Sequence, residues 1–169
     1  IMQKEYDRKD VSMNVEYMNI LTIETPEILN QYKENLFSTY GNNPPKAVLM
    51  LGNAPLILRD DMRRHWGDIP LIVCAESRYI GPDSTYMYNQ IIPYKDRIYL
   101  KDLRNEYNMT FLAARAFIPE SVQLLRRMIP KMKSLLLIGD QTDRDIDYDQ
   151  QLSELINTEY TDINYKFLS

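Results

Sequence analysis

Residues 47–55 read Ala47-Val48-Leu49-Met50-Leu51-Gly52-Asn53-Ala54-Pro55, a continuous apolar run that ends at a glycine and a helix start. A continuous run, rather than an alternating one, is typical of a parallel strand that is buried on both faces. Pro55 lies where the first turn of a following helix would begin. The stretch therefore predicts one strand–helix unit of a parallel sheet covered by helices.

Similar units recur along the chain, because short β-rich runs alternate with helical patterns. This alternation predicts an α/β fold with an open, mainly parallel sheet in three αβα layers. The predicted strands are Met13–Asn19, Ala47–Leu51, Leu71–Ala75, Met109–Ala113, Leu135–Gly139 and Asn164–Leu168.

Start and stop signals place four helices between these strands. Thr25 can cap the first, with Pro26 at its first position, and Pro130 stops the third. The predicted helices run from Pro26 towards Gly41, from Asn53 to Gly67, from Pro119 to Ile129 and from Tyr148 to Glu159. Residues 80–101 are rich in tyrosine and proline and predict a long loop with one short strand, Ile98–Leu100.

Composition limits the function classes. The chain has 169 residues, 44% of them hydrophobic, and a net charge of −4. We expect no nucleic-acid partner, because no overall positive charge is available to hold a phosphate backbone. No apolar run approaches the roughly 20 residues that a transmembrane helix needs, and one cysteine, Cys74, permits no internal disulfide.

Ligands of open α/β sheets bind beyond the carboxyl ends of the strands, so the residues after each strand are the candidate ligand-binding residues. Gly52 and Asn53 are typical of the turn and cap of the next helix, and they also offer a ligand backbone N–H groups and an amide. The loop after the next strand combines a carboxylate, a hydroxyl, a guanidinium and an aromatic ring, a set suited to a polar or sugar-like ligand. A solvated loop with a Glu76–Arg78 contact is the alternative. The candidates are Gly52, Asn53, Glu76, Ser77, Arg78, Tyr79, Arg115, Asp140 and Thr142.

The sequence predicts no catalytic residue, metal or cofactor. Four aspartates lie between Asp140 and Asp147, but they lack the glycine and terminal glutamate of a twelve-residue calcium loop. The single histidine, His65, lies next to Trp66 without a second ligand and indicates a surface or packing residue. Phosphate-loop and nucleophile-elbow motifs are absent, and a receiver domain would need an aspartate where Glu76 follows its strand.

The ordered segments resemble a known family. They are Val15-Glu16-Tyr17-Met18, the strand and turn 47–56, the strand 69–76, the helix 117–130 that starts at Phe117-Ile118-Pro119-Glu120, and the strand Lys133–Asp140. Together they are similar to the extracytoplasmic sensor region of bacterial hybrid two-component histidine kinases. That region resembles the substrate-binding proteins of ABC transporters.

The resemblance implies a Rossmann- or flavodoxin-like lobe of a periplasmic-binding-protein-like fold. It divides the chain into a first lobe, residues 1–117, a connecting helix, 118–132, and residues 133–169, which start a second lobe or continue the same sheet. We expect the first lobe to be incomplete at its N-terminus and the second to be cut short. Motion between the lobes would centre on residues 115–119 and 130–133.

For function, the resemblance implies a non-catalytic periplasmic sensing domain. It would bind a small polar ligand or a partner protein, and the membrane and the transferase activity of the kinase would belong to the rest of the parent. Three alternatives stay open: a free solute-binding protein of an ABC transporter, a small α/β transferase or hydrolase using Glu76, Asp140 or Asp143, and a homodimerisation or partner-protein surface. Residue types alone do not choose among them.

Overall fold

The computed structural model describes residues 12–23, 25–82, 92–140 and 142–169. The predicted mixed α/β fold is confirmed. The helices are α1 (Pro26–Thr39), α2 (Arg59–Trp66), α3 (Leu100–Leu103), α4 (Ile118–Met128) and α5 (Asp143–Glu159). The strands are β1 (Val48–Leu51), β2 (Leu71–Ala75), β3 (Tyr79–Ile80), β4 (Ile98–Tyr99), β5 (Met109–Ala113), β6 (Ser134–Ile138) and β7 (Asn164–Leu168).

The described strands form two separate parallel sheets and one short antiparallel pair. The first sheet has the order β1-β2-β5, and β6 pairs with β7 in the second. Met50 lies opposite Val73, which lies opposite Phe111. β3 and β4 pair antiparallel, with Tyr79 opposite Tyr99. Of the loop predicted over residues 80–101, the short strand near Ile98 is thus confirmed, and residues 83–91 lie outside the described part.

Local signals fix most helix starts. The Thr25 hydroxyl accepts a hydrogen bond from the N–H of Ile28, with Pro26 at the first helical position, as predicted. The second predicted helix begins as a 3₁₀ helix, Ala54–Leu58, and continues as α2. Helix α5 begins five residues before the predicted Tyr148. Its N-cap residue is Thr142. Asp143 and Asp145 lie in the first turn, where negative side chains interact favourably with the helix dipole.

The predicted strand Met13–Asn19 is wrong. Residues 12–19 have no regular secondary structure, and the Tyr17 side chain is 86% exposed. Strand β1 pairs only with β2 among the described strands, so this segment does not join the sheet. It lies instead beside α1, where the Tyr40 hydroxyl donates to Glu16 at 2.6 Å. A β-rich run does not form a strand without a neighbouring strand to pair with.

Two hydrophobic clusters form the interior. The first collects the inward side chains of β1, β2 and β5 with residues of α1, α2, α3 and the 3₁₀ helix: Leu29, Leu36, Phe37, Met50, Leu56, Leu58, Met62, Val73, Leu100 and Met109 are among them. The second joins α4 and α5 over β6 and β7 through Val122, Met132, Leu152, Leu155, Ile156 and Ile163. The two clusters divide along the chain between Met109 and Val122, so α4 packs with the second sheet.

The expectation that the apolar strands are buried on both faces is wrong for the described residues. Burial alternates: Met50 is 2% exposed, whereas its neighbours Leu49 and Leu51 are 54% and 72% exposed. Leu112 on β5 shares this outer face, and Ile138 on β6 is 71% exposed. The helices of the first cluster, α1, α2 and α3, pack on the opposite face of the first sheet, so the described residues form two layers there and not three. The apolar run around Cys74 predicts a buried thiol, but this side chain is half-buried on the outer face.

This difference between the two faces gives the first prediction. Leu56→Ala removes a side chain that is 0% exposed, and the cavity it leaves should lower the free energy of unfolding by about 2–5 kcal/mol. Leu51→Ala, a matched control on the outer face, should change it by less than about 0.5 kcal/mol. Urea unfolding followed by circular dichroism measures both. Similar losses for the two variants would contradict an uncovered outer face.

Candidate functional site

Two loops meet beyond the carboxyl ends of β1 and β2. Asn53, 6% exposed, donates through Nδ2 to Ser77 Oγ at 2.6 Å and accepts the N–H of Glu76 on Oδ1 at 3.0 Å. The Ser77 hydroxyl in turn donates to the carbonyl of Tyr79. Asn53 makes no side-chain cap to the following 3₁₀ helix. Its amide therefore braces the β2–β3 loop against the β1 loop, which neither of its sequence-based interpretations included.

Gly52 has a positive φ of 85°, a conformation that favours glycine. A Cβ at this position would lie 3.0 Å from Oε1 of Glu76, so the carboxylate lies directly over the glycine. Glu76 is exposed. The turn after β1 thus lets an exposed carboxylate approach the backbone closely.

The centre of the site is the contact between Arg78 and Asp147. Asp147, on α5, is 2% exposed, and its Oδ1 accepts from Nε and Nη2 of Arg78 at 2.9 and 2.8 Å. Its Oδ2 accepts the backbone N–H of Arg78 at 2.8 Å. The predicted alternative contact between Glu76 and Arg78 is not formed in the described structure. A carboxylate with this little exposure needs such partners, because burying an unpaired charge is costly.

A second ion pair lies beside the first. Nη1 of Arg97, whose side chain is 2% exposed, contacts Oδ1 of Asp143 in the first turn of α5. Helix α5 also contacts β3 and the 3₁₀ turn Tyr94–Asp96. The loops of the first sheet are therefore joined to α5, which packs on the second sheet, through two ion pairs, each with one buried partner. We call Arg78, Arg97, Asp143 and Asp147 the junction.

Sequence reasoning missed most of the junction. Arg97 lies in the loop that showed no sustained pattern, and Asp147 was considered only as part of an acidic cluster. Arg78 and Asp147 are 69 residues apart, and no local spacing rule relates such positions. The one available signal was the number of aspartates at the start of α5, which indicates a helix N-terminus as well as a metal loop.

An aromatic cluster borders the junction. The Tyr79 ring lies 4.8 Å from Tyr99 and 4.6 Å from Tyr94, and Cζ of Arg78 lies 5.8 Å from the centre of the Tyr79 ring. Burial raises the pKa of Tyr94, and its neighbour Tyr79 adds to the shift. Tyr94 therefore stays protonated at neutral pH, as an uncharged hydroxyl beside Arg78.

The three remaining candidate ligand-binding residues, Asp140, Thr142 and Arg115, lie outside the loop 76–79. Asp140 Oδ1 accepts the N–H of Thr142 at 2.8 Å, and Thr142 caps α5. Hydrogen bonds from Thr142 lower the pKa of Asp140, so it is ionised at neutral pH. Arg115, exposed over 71% of its side chain, pairs with Glu120 and lies over the Phe117 ring. The structure thus brings Gly52, Asn53 and residues 76–79 together, ties Asp140 and Thr142 to the start of α5, and gives Arg115 no described contact with them.

Other features of the described residues lie away from this site. An open groove of about 580 Å³ lies between α1 and α2, lined by Lys33, Phe37, His65 and others. His65 stacks on Phe37 at 4.5 Å, in line with its predicted packing role. Within the described ranges no group of three or more histidine, cysteine, aspartate or glutamate side chains could hold a metal ion, and no helix is long and apolar enough to cross a membrane.

Comparison with known proteins identifies no relative. No protein-family model matches the chain, and no curated protein or solved structure shows significant similarity.

The burial of Asp147 predicts an order of effects for two substitutions. Arg78→Ala would leave a buried carboxylate with only a backbone N–H and should cost about 3 kcal/mol of unfolding free energy. Asp147→Ala leaves the guanidinium of a side chain that is 39% exposed, which water can solvate, and should cost about 1–2 kcal/mol. Urea unfolding at pH 7 measures both. Asp147→Ala costing more than Arg78→Ala would contradict this assignment.

The glycine turn gives another comparison. Gly52→Ala places a side chain at a positive φ of 85° and brings its Cβ within 3.0 Å of the Glu76 carboxylate, so it should lose about 1–2 kcal/mol of unfolding free energy. In a Glu76→Ala background only the backbone strain remains, and we expect the loss to be smaller. Urea unfolding measures the effect in both backgrounds. Equal losses in the two backgrounds would show that Glu76 does not lie over the turn.

Proposed function

We propose that the chain is a non-catalytic sensing domain of the periplasmic-binding-protein-like kind, from the extracytoplasmic part of a hybrid two-component histidine kinase. The observation that supports this most is the junction. It couples the loops where a ligand of a parallel sheet would bind to a helix that packs on a second sheet. The order of strands and helices that resembles such sensors is the second support.

The junction is suited to switching between two arrangements of the β2–β3 loop and α5. A ligand bound at residues 76–79 would contact the loop that holds Asp147. Helix α5, which carries Asp147, packs in the second cluster through Leu152, Leu155 and Ile156. A ligand that binds better to one arrangement of loop and helix than to the other shifts the equilibrium between them. In the parent kinase, this shift would be the signal.

The enzyme alternative has weaker support. Asp143 is held by Arg97, and Asp140 by the backbone of Thr142. A carboxylate that acts as a general base needs an open hydrogen-bonding position towards substrate and a pKa near the working pH. The pKa of Asp140 moves in the opposite direction, downwards. Of the three carboxylates considered for catalysis, that of Glu76 alone accepts no described hydrogen bond.

A thermal-shift screen followed by hydrogen exchange tests the proposal. Sugars, oligosaccharides, amino acids and nucleotides are screened against the chain, because a ligand of the folded state stabilises it, by about 2.7 kcal/mol at 100 times its Kd. We expect a stabilising compound to change amide exchange at residues 115–119 and 130–133. Asn53→Ala should weaken the stabilisation. Arg104→Ala should not, because the exposed Arg104 side chain has no described contact with the site residues.

Two outcomes would contradict the proposal. One is a compound that stabilises the chain while exchange at residues 115–119 and 130–133 stays identical. The other is a stabilisation that survives Asn53→Ala unchanged, since the site would then lie elsewhere.

A further inference from the structure

Helix α4 carries a line of apolar side chains that stay open to solvent in the described structure. One side of the helix packs in the second cluster through Val122. Phe117, Leu124 and Met128 lie along a neighbouring side and are 59%, 56% and 69% exposed. Residues seven and eleven positions apart return to the same side of a helix, because 3.6 residues make one turn, and the line is about 16 Å long at 1.5 Å per residue. We call Phe117, Leu124 and Met128 the apolar stripe.

Cations flank both ends of the apolar stripe. Arg115 lies over one side of the Phe117 ring, with Cζ 5.0 Å from the ring centre, and also pairs with Glu120. Near the other end, Arg127 and Lys131 are exposed and have no described ion pair. Long cationic side chains lay their alkyl stems along apolar surface and keep the charged group at its edge. The stripe is therefore an apolar surface with a cationic border.

The charge of this segment is opposite to that of the rest of the chain. Residues 114–133 contain five lysines and arginines and one glutamate, a net charge of +4, so the remaining residues carry −8 within the total of −4. Asp162 pairs with two of these cations, Arg126 and Lys133. A planar anionic surface would attract this side of the protein and repel the rest of it, which fixes the orientation of approach.

The size of the apolar stripe favours a lipid surface over a protein partner. A stable protein interface buries about 800 Å² on each partner, and one line of side chains on an 11-residue helix offers far less contact area. A lipid surface sets no such minimum, because each apolar side chain that enters it and each cation near the head groups adds to binding. A helix lying parallel to the membrane would place the three aligned side chains at one depth.

We propose that α4 docks on a membrane surface that contains anionic phospholipid. The apolar stripe enters the boundary between head groups and acyl chains, and Arg127 and Lys131 contact the lipid phosphates. The association is weak and reversible, because only a few side chains enter the bilayer. It does not depend on the sensing function proposed above or on a ligand at residues 76–79.

Flotation with lipid vesicles tests the proposal. The whole chain is mixed with vesicles of phosphatidylglycerol and phosphatidylcholine in equal parts, or of phosphatidylcholine alone. We expect binding to the anionic vesicles that falls as salt is added, and much weaker binding to the neutral ones. Arg127→Gln and Lys131→Gln should each weaken binding about fivefold, the contribution of one cation near an anionic surface. Arg104→Gln, the matched control at an exposed arginine outside α4, should leave binding unchanged.

A second pair of variants tests the apolar part of the surface. Met128→Ser should weaken binding to the anionic vesicles about tenfold, because it removes an apolar side chain from the lipid boundary. Leu51→Ser, at a side chain that is 72% exposed on the outer face of the first sheet, should not change it. Both positions are exposed, so both variants should keep the fold, which circular dichroism checks.

Four results overturn the proposal. They are no binding to the anionic vesicles, equal binding to anionic and neutral vesicles, binding that Arg127→Gln and Met128→Ser leave unchanged, and equal losses in Met128→Ser and Leu51→Ser. An acidic amphipathic peptide of leucine and glutamate serves as the probe for a protein partner. If the chain binds this peptide through Met128 and binds no vesicles, the apolar stripe is a protein-docking surface and the lipid assignment is wrong.

Discussion

A carboxylate with almost no access to water, on Asp147, is the constraint on which the arrangement of the site depends. Such a group is tolerated only when hydrogen bonds replace its hydration, and here Arg78 supplies them from both its backbone and its side chain. Helix α5 is thereby fixed against the β2–β3 loop. That loop is in turn fixed by Asn53, so the turn after β1, the loop after β2 and α5 are held by one connected network.

The elements whose signals are local could be predicted from the sequence. Leu71–Ala75, Met109–Ala113 and Asn164–Leu168 have the predicted bounds, because each is a short apolar or alternating run between turn residues. The Thr25 cap of α1 was also predictable, because its hydrogen bond joins residues within one helical turn. The segment 13–19 fails, since a strand exists only with a neighbour and neighbours are a property of the whole fold. The start of α5 fails because its aspartates fit a loop and a helix N-terminus equally well.

The candidate site shows the same division. The rule that ligands meet the carboxyl ends of strands selected Asn53, Ser77 and Arg78, and the structure places these three side by side. It could not select Asp147 or Arg97, because their roles depend on how the second sheet meets the first. The apolar sequence of β1 likewise does not reveal that Leu49 and Leu51 face outward in the described structure. The polarity of a strand does not show which of its two faces a helix will cover.

The long sequence separation between Arg78 and Asp147 has a consequence for the order in which the protein is made. At about 5–20 residues per second, ribosomal synthesis of the 69 residues between them takes roughly 3–14 seconds. During that interval Arg78 has been made but its partner carboxylate has not. Arg78 can form its hydrogen bonds to Asp147 only when the start of α5 has left the ribosome.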